Sequence, residues 1–411
     1  MPGMEHCRGD APDLRMYGPL GLSTFRQGSG TAWVPDAVSA PYYHLPVRGW
    51  DVMAHGLVFG QLVHQGGPRG DTQVGSINWS MVMASRPLAG GRLQLRAMNS
   101  IEAWTVTNRG YPILLQSGET MDGTPIRDRQ HPHDFFMELG AFYERAISRA
   151  LAVQLYVAPS GEPALGPVAF MHRPSAENDP MVSLGHHWQD ATHITFGVVT
   201  AGLFSRRWKL EGSAFNGREP DENRWNVDLR GARLDSYAGR LTLNPSASWS
   251  LSASFGFLQS PEAPRDDASM HRVTASALHG ARIGETGRWS STLLWGANAE
   301  AGHERLEHSA LAETNFEPDD RNALFGRAEY VQKTAEDLSV EGADAHARYD
   351  LVALSAGYVR EVGAALRTSA GVGARATLNL LPRALEPHYG SRTPAGLVLF
   401  VRLRPHARSA R

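Results

Sequence analysis

Trp249 to Phe257 reads W-S-L-S-A-S-F-G-F, with Trp249, Leu251, Ala253, Phe255 and Phe257 at the odd positions and Ser or Gly at every even one. Successive side chains of a strand point to opposite faces, so this stretch is a strand with one apolar and one small polar face. The same period recurs down the chain, and its polar face often carries charge. Arg367, Ser369, Gly371, Gly373 and Arg375 alternate with Leu366, Thr368, Ala370, Val372 and Ala374, while Lys209, Glu211 and Ser213 alternate with Trp208, Leu210, Gly212 and Ala214. Repetition on this scale predicts one closed wall, apolar on one side and polar on the other.

The chain has 411 residues, 42% hydrophobic, with 42 glycines and 10 tryptophans, and a mean hydropathy of -0.32. No stretch approaches the roughly twenty consecutive apolar residues of a helical membrane span. A membrane barrel stays open, because its strands need only about ten residues and its lumen can be polar. The competing class is a soluble sandwich, for which this chain is long. Three features favour the barrel. Trp79, Trp249, Phe257, Trp289, Trp295, Tyr330 and Tyr358 stand near strand ends on the apolar face and are expected to form interfacial girdles. Small apolar residues such as Ala275 and Ala277 beside Val273 suit a lipid-facing surface better than a close-packed core. Mid-strand charges such as Arg240, Arg327, Glu329 and Arg402 suit a wet lumen.

Strands are expected near 50–64, 75–85, 91–103, 134–146, 149–158, 192–203, 206–216, 235–244, 247–259, 270–283, 287–300, 307–315, 322–333, 348–361, 364–378 and 394–404. The fold class is therefore an all-β transmembrane antiparallel barrel of about sixteen strands, or fourteen if 307–315 or 50–64 fails. Short turns at Asn244-Pro245 and Gly363 contrast with the long Pro- and Gly-rich connections 104–133, 159–191 and 217–234. These long loops are expected to plug or cap one rim. The division is a tail and lead-in over 1–48, a barrel over 49–405 and a short tail over 406–411. Gly28 to Asp36 (G-S-G-T-A-W-V-P-D) reads as an ordered lead-in to the first strand. Met1 to Leu20 shows no basic segment followed by an apolar run, so the secretory signal that an outer-membrane protein requires is expected to precede a truncated or mis-started chain. The single Cys7 reports no compartment. A formal charge of -2 and the absence of basic tracts argue against a nucleic-acid partner.

Six of the 17 histidines fall between His131 and His193. They sit in D-R-Q-H-P-H-D-F-F-M-E-L (Asp128 to Leu139), G-E-P-A-L-G-P-V-A-F-M-H-R-P (Gly161 to Pro174) and G-H-H-W-Q-D-A-T-H (Gly185 to His193). Imidazole, carboxylate and thioether together suit a transition metal, copper in particular, since His serves either oxidation state and Met favours the cuprous ion. The candidate ligands are His131, His133, Met171, His172, His186 and His187, and no other cofactor is indicated. Met1 to Cys7 adds a second soft-ligand stretch. Two other readings stay open. The loop histidines and carboxylates can form a hydrogen-bonded plug or latch, because Pro-ordered polar loops need internal partners. Ser183, His186 and Asp190 have the residue types of a hydrolase, without a G-x-S-x-G elbow, and an enzyme is the less favoured class. Strand parity points Glu138, Glu144, His193, Lys209, Glu211, Arg240, Arg367 and Arg375 to the polar side.

The runs D-R-Q-H-P-H-D (Asp128 to Asp134) and Gly161 to Arg173, with F-N-G-R-E-P-D-E-N-R (Phe215 to Arg224) and L-D-S-Y (Leu234 to Tyr237), resemble a family of poorly characterised bacterial outer-membrane barrels. Members accompany copper and other heavy-metal resistance systems in Gram-negative bacteria, and the resemblance spans about Gly28 to Pro405. It implies an outer-membrane location, a barrel fold and a channel-like or metal-binding role in metal tolerance. The partners implied are outer-membrane lipid, a metal ion or small solute, and periplasmic metal-efflux components. It supplies no catalytic residue and no transported substrate. A purely structural envelope barrel is the remaining alternative. The end P-H-A-R-S-A-R (Pro405 to Arg411) departs from the aromatic finish of many outer-membrane strands.

Overall fold

The computed structural model describes residues 17–38, 40–229, 233–261, 269–300 and 306–406. Its strands begin with β1 (Tyr43–Val47), β2 (Trp50–Gln65), β3 (Thr72–Leu88), β4 (Gly91–Asn99), β5 (Tyr111–Met121), β6 (Thr124–Gln130) and β7 (Phe136–Ala146). They continue with β8 (Ala152–Gly161), β9 (Thr195–Phe204), β10 (Trp208–Phe215), β11 (Ser236–Ser246), β12 (Trp249–Gln259) and β13 (Ser269–Ile283). The last six are β14 (Gly287–Glu300), β15 (Glu307–Glu317), β16 (Asn322–Thr334), β17 (Arg348–Ala365), β18 (Thr368–Leu380) and β19 (Ala395–Pro405).

Sixteen of them close one antiparallel barrel. β2 through β4 lead to β7, each later strand pairs with the next, and β19 returns to β2. Both strands on which the count depended, β2 and β15, are present. β1 only folds back on the start of β2 through Arg48 and Gly49, and β5 and β6 pair as a separate hairpin within the connection 104–133. Sequence reading missed that hairpin, because Pro112 and Gly118 interrupt its alternation.

Connections alternate in length. Residues 89–90, 147–151, 205–207, 247–248, 284–286 and 366–367 turn at one rim, while 100–135, 162–194, 216–235, 335–347 and 381–394 leave the other. Short periplasmic turns opposite long extracellular loops are the habit of bacterial outer-membrane barrels. The 366–367 turn has both residues at positive φ, 51° for Leu366 and 62° for Arg367, the conformation whose twist matches a two-residue hairpin. It corrects one assignment: Arg367 is exposed at the short-turn rim and not in the lumen. The β17–β18 ladder starts at Ala365 and Thr368, so parity counted through position 367 has no strand to act on.

Facing along β12 follows the sequence. Trp249 and Phe255 are 41% and 48% exposed, whereas Ser250 and Ser254 are 2% and 5% exposed. Trp289, Trp295 and Tyr358 also lie on the outer surface. Trp79 does not, because its position on β3 points inward, where it meets the rings of His55 and His172 at centroid distances of 5.2 and 4.8 Å. The inner face is not polar throughout. Phe59, Phe325 and Phe400 point inward from β2, β16 and β19, with centroids 5.5 Å apart for Phe59 and Phe400. A side chain at Gly373 would lie 2.3 Å from the Phe400 ring and one at Gly357 2.2 Å from Phe325, so these glycines make room for the rings.

The outward assignment makes a direct prediction. Ala253 and its cross-strand partner Ala275 are both exposed on the outer face. Ala253→Arg, a charge on the lipid face near mid-strand, should cost about 2–4 kcal/mol, while Ala253→Leu should be close to neutral. Equal unfolding free energies for the two variants in lipid would contradict the facing.

Candidate functional site

The polar wall of the barrel is built to hold peptide. Among the described residues three segments enter the lumen: first the N-terminal lead-in, second the connection 162–194, and third the connection 100–135, which carries His131 and His133. Lys209 Nζ donates to the Thr31 carbonyl, and Arg240 donates to Thr31 Oγ1 at 2.9 Å. Ser250 Oγ donates to the Trp33 carbonyl at 3.1 Å and Asn244 to that of Val34 at 3.0 Å. Arg96 reaches the Gly30 carbonyl from β4, and Arg92 reaches Thr24 Oγ1. Lys209 and Arg240 also pair with Glu211 at 3.3 and 3.2 Å, and Arg92 with Glu144 at 2.6 Å. Gly28 to Asp36 is thus an inserted segment and more than a lead-in to β1.

The second segment is the connection 162–194. Its start is pinned by Ser213 and Ser254, whose hydroxyls accept from the Ala164 and Gly166 amides at 2.7 and 2.9 Å. Its centre is an ion-pair network. Arg173, fully buried, pairs with Asp190 at 3.0 Å and with Glu313 on β15 at 2.7 Å. Arg327 on β16 pairs with Glu313 at 3.0 Å, and Arg375 on β18 with Asp179 at 2.9 Å. Glu177 draws in Arg288 and Arg404 at 2.9 and 2.6 Å. Charges removed from water on this scale are tolerated only when each finds a partner. Glu138 is likewise held inside, accepting from Tyr156 Oη at 2.7 Å. Glu138, Lys209, Glu211, Arg240 and Arg375 are all buried. His193 also lies inside, on a short turn (Ala191–His193) of the inserted loop ahead of β9 and not on the wall.

The candidate ligands divide between two places. His131, His187, His186, His193 and His133 follow one another across the lumen with ring centroids 6.4, 5.4, 5.1 and 5.4 Å apart. His187 and His186 belong to a single turn, α1 (His186–Gln189). Met171 and His172 lie apart from this row, with His172 against Trp79 and His55. Four members of the row face carboxylates: His133 Nδ1 faces Glu102 at 2.9 Å, His186 Nδ1 Asp190 at 2.7 Å, His131 Nε2 Glu119 at 2.9 Å and His187 Nδ1 Glu219 at 3.5 Å. A carboxylate on Nδ1 fixes the tautomer and leaves Nε2 on the far side of the ring, as in histidines that serve metals. Among the described residues no three His, Cys, Asp or Glu side chains meet as a preformed metal site. The Met1 to Cys7 stretch lies outside the described residues.

Burial sets the charge states. It pushes the His186 imidazole down to about 4 in spite of Asp190, and with the neighbouring His186 and His133 it holds His193 well below the usual range. Burial also lowers His133, but Glu102 outweighs it and leaves that ring above its ordinary value. Glu162, buried with Arg240 nearby, is pushed up to about 8, and burial beside Glu119 does the same for Glu219. The row therefore mixes neutral imidazoles with carboxyls of both states.

The hydrolase arrangement is not assembled. His186 and Asp190 are paired, but Ser183 Oγ has no hydrogen-bond partner and meets His186 only through the backbone, its carbonyl accepting from the His186 amide at 3.2 Å. A nucleophile within reach of its base is the minimum such chemistry needs.

A closed sixteen-strand wall with an apolar outer band and charged interior defines the porin-like barrel class of bacterial outer membranes. The barrel is similar to the anion-selective porin from Comamonas acidovorans, at 10% identity over 86% of this chain and 99% of that one, with a TM-score of 0.55. It is also similar to OmpF of Salmonella typhi, solved in complex with daunomycin, at 10% identity over 88% and 100% of the two chains and a TM-score of 0.51. Likeness at this identity is a likeness of fold, consistent with an outer-membrane location. No family model and no curated protein matches the chain.

Proposed function

We propose that this barrel is a plugged, channel-like component of metal tolerance that binds transition-metal ions in its lumen, copper first. The observation that carries the reading is the row of five imidazoles, three from the inserted loop 162–194 and two from the connection 100–135. Neighbouring rings 5.1 to 6.4 Å apart are close enough for two to share an ion after a side-chain rotation, and nitrogen ligands favour copper over the hard cations. The resemblance of Asp128 to Asp134 and Gly161 to Arg173 to barrels that accompany copper resistance supports the same reading. Periplasmic efflux components are the partners it calls for.

The test is calorimetric titration of the folded full-length barrel with cupric ion, beside a variant carrying His131→Ala, His133→Ala and His186→Ala. The expected result is binding of copper and not of calcium or magnesium, with affinity at least tenfold weaker in the variant. A parent that binds no copper, or a variant that binds equally well, overturns the reading. The second reading is a structural latch, favoured by the carboxylates on His131, His133 and His186. It predicts lower thermal stability in the variant with no copper binding in either protein.

A further inference from the structure

We infer that Met98, Met137, Met171 and His172 form a second, thioether-rich site for a soft monovalent cation, cuprous or silver, reached from the short-turn rim. This rests on the metal-handling reading above and deepens it. Apart from His193, which lines its cavity, it uses other residues than the imidazole row, and it names an oxidation state and a side of approach.

The four residues line one small internal cavity together with His193 and Glu162. They come from three elements. Met98 points inward from β4. Met137 is drawn inside by a register shift, since Met98 faces Glu138 while Asn99 faces Phe136, leaving Met137 as the extra residue between them. Met171 and His172 sit on a short turn of the inserted loop, Phe170–His172. All three thioethers are less than a tenth exposed.

Methionine in a core is usually a flexible filler, and two observations separate this cluster from that role. His172 Nε2 lies 3.4 Å from Met98 Sδ. Sulfur is a weak acceptor, so an imidazole nitrogen aimed at it gives up a better hydrogen bond unless something else takes its place. On the other wall of the same cavity, His193 Nε2 is buried with no hydrogen-bond partner. An ion bound by thioethers and imidazole would satisfy both. Thioethers select Cu(I) over Cu(II) and over hard cations.

Approach is set by a second cavity that shares Met171 and His172. It runs past His55 and Trp79 to Ala40 and Pro405 at the short-turn rim, where β19 ends. In an outer-membrane barrel that rim faces the periplasm, so the site is reached from the cell side of the membrane.

The experiment titrates the folded full-length barrel with Cu(I) under reducing, anaerobic conditions against a chromophoric chelator, with Ag(I) as a redox-inert probe. X-ray absorption reports the ligand atoms. The parent should take up Cu(I) with sulfur in its first shell. The pair Met98→Leu and Met171→Leu, which conserves volume, should weaken uptake at least tenfold. Met53→Leu with Met83→Leu, which removes two buried methionines outside the cavity, should leave it unchanged. Unchanged uptake in the Met98/Met171 variant overturns the proposal. So does a parent shell of nitrogen and oxygen alone, a result that needs no variant to fold. Cu(I) uptake kept in the Met98/Met171 variant but lost in one carrying His131→Ala and His133→Ala overturns this site and leaves the imidazole-row reading standing. A parent that takes up neither cuprous nor cupric ion overturns both.

Discussion

Deleting residues 162–193 should turn a barrel with little steady conductance into one with a large, stable conductance in a planar bilayer. The inserted loop bridges the lumen from Ser213 and Ser254 on one side to Glu313, Arg327 and Arg375 on the other. Its removal leaves those wall charges facing an open space that water and ions can fill. The N-terminal segment fills space against β4 and β10 through β12, beside the start of the loop, whose Ala169 amide donates to Ser29. Removing 17–38 as well should therefore raise conductance further, and removing it alone should open the lumen less than removing the loop. Folding of each deletion is checked by heat-modifiable migration on a gel. A large steady conductance in the intact protein, or none in a folded double deletion, would refute the plugged lumen.

Arg173→Ala should lower the unfolding free energy of the barrel in lipid by about 3–5 kcal/mol, because it strands Asp190 and Glu313 in the interior without their shared partner. Arg173 has no solvent contact, and Glu313 is left with Arg327, at 3.0 Å, as its ion-pair partner. Asp190 retains only His186 among its paired side chains. The contrast is Arg129→Ala, which breaks a pair with Asp71, itself 56% exposed. Solvent screens that pair, and its loss should cost less than about 1 kcal/mol. The comparison asks whether plug and wall unfold as one unit. Equal effects at the two arginines in denaturant titrations would mean that the loop detaches before the wall melts.

The barrel was legible because its signal is local. Trp249 to Phe257 alternates within nine residues, and all sixteen wall strands stand within a few residues of their expected positions. Reading failed where the alternation itself was misleading. Trp79 fits an aromatic girdle by type and position, yet it faces His172 inside. Arg367 continues the parity of β18 but belongs to the turn, and Met137 enters the lumen only through a register shift. The candidate ligands were found by type in three loop segments, but their division into an imidazole row and a thioether cavity was not. Met98 stood in a wall strand, away from the histidine-rich loops. The inserted Gly28 to Asp36 stretch has no periodic pattern to recognise.

By itself, then, the chain's two-residue period determined a closed wall, its outward face and the bulk of its inward charges, since side-chain direction in a strand depends only on position in that strand. What fills the wall was decided by tertiary structure. The donor on Lys209 meets the carbonyl of Thr31 across 178 residues, and Arg173 meets Glu313 across 140. Such pairings follow from the need of every buried charge and carbonyl for a partner. Which partner it takes depends on how irregular segments fold back into the lumen, and no local period records that.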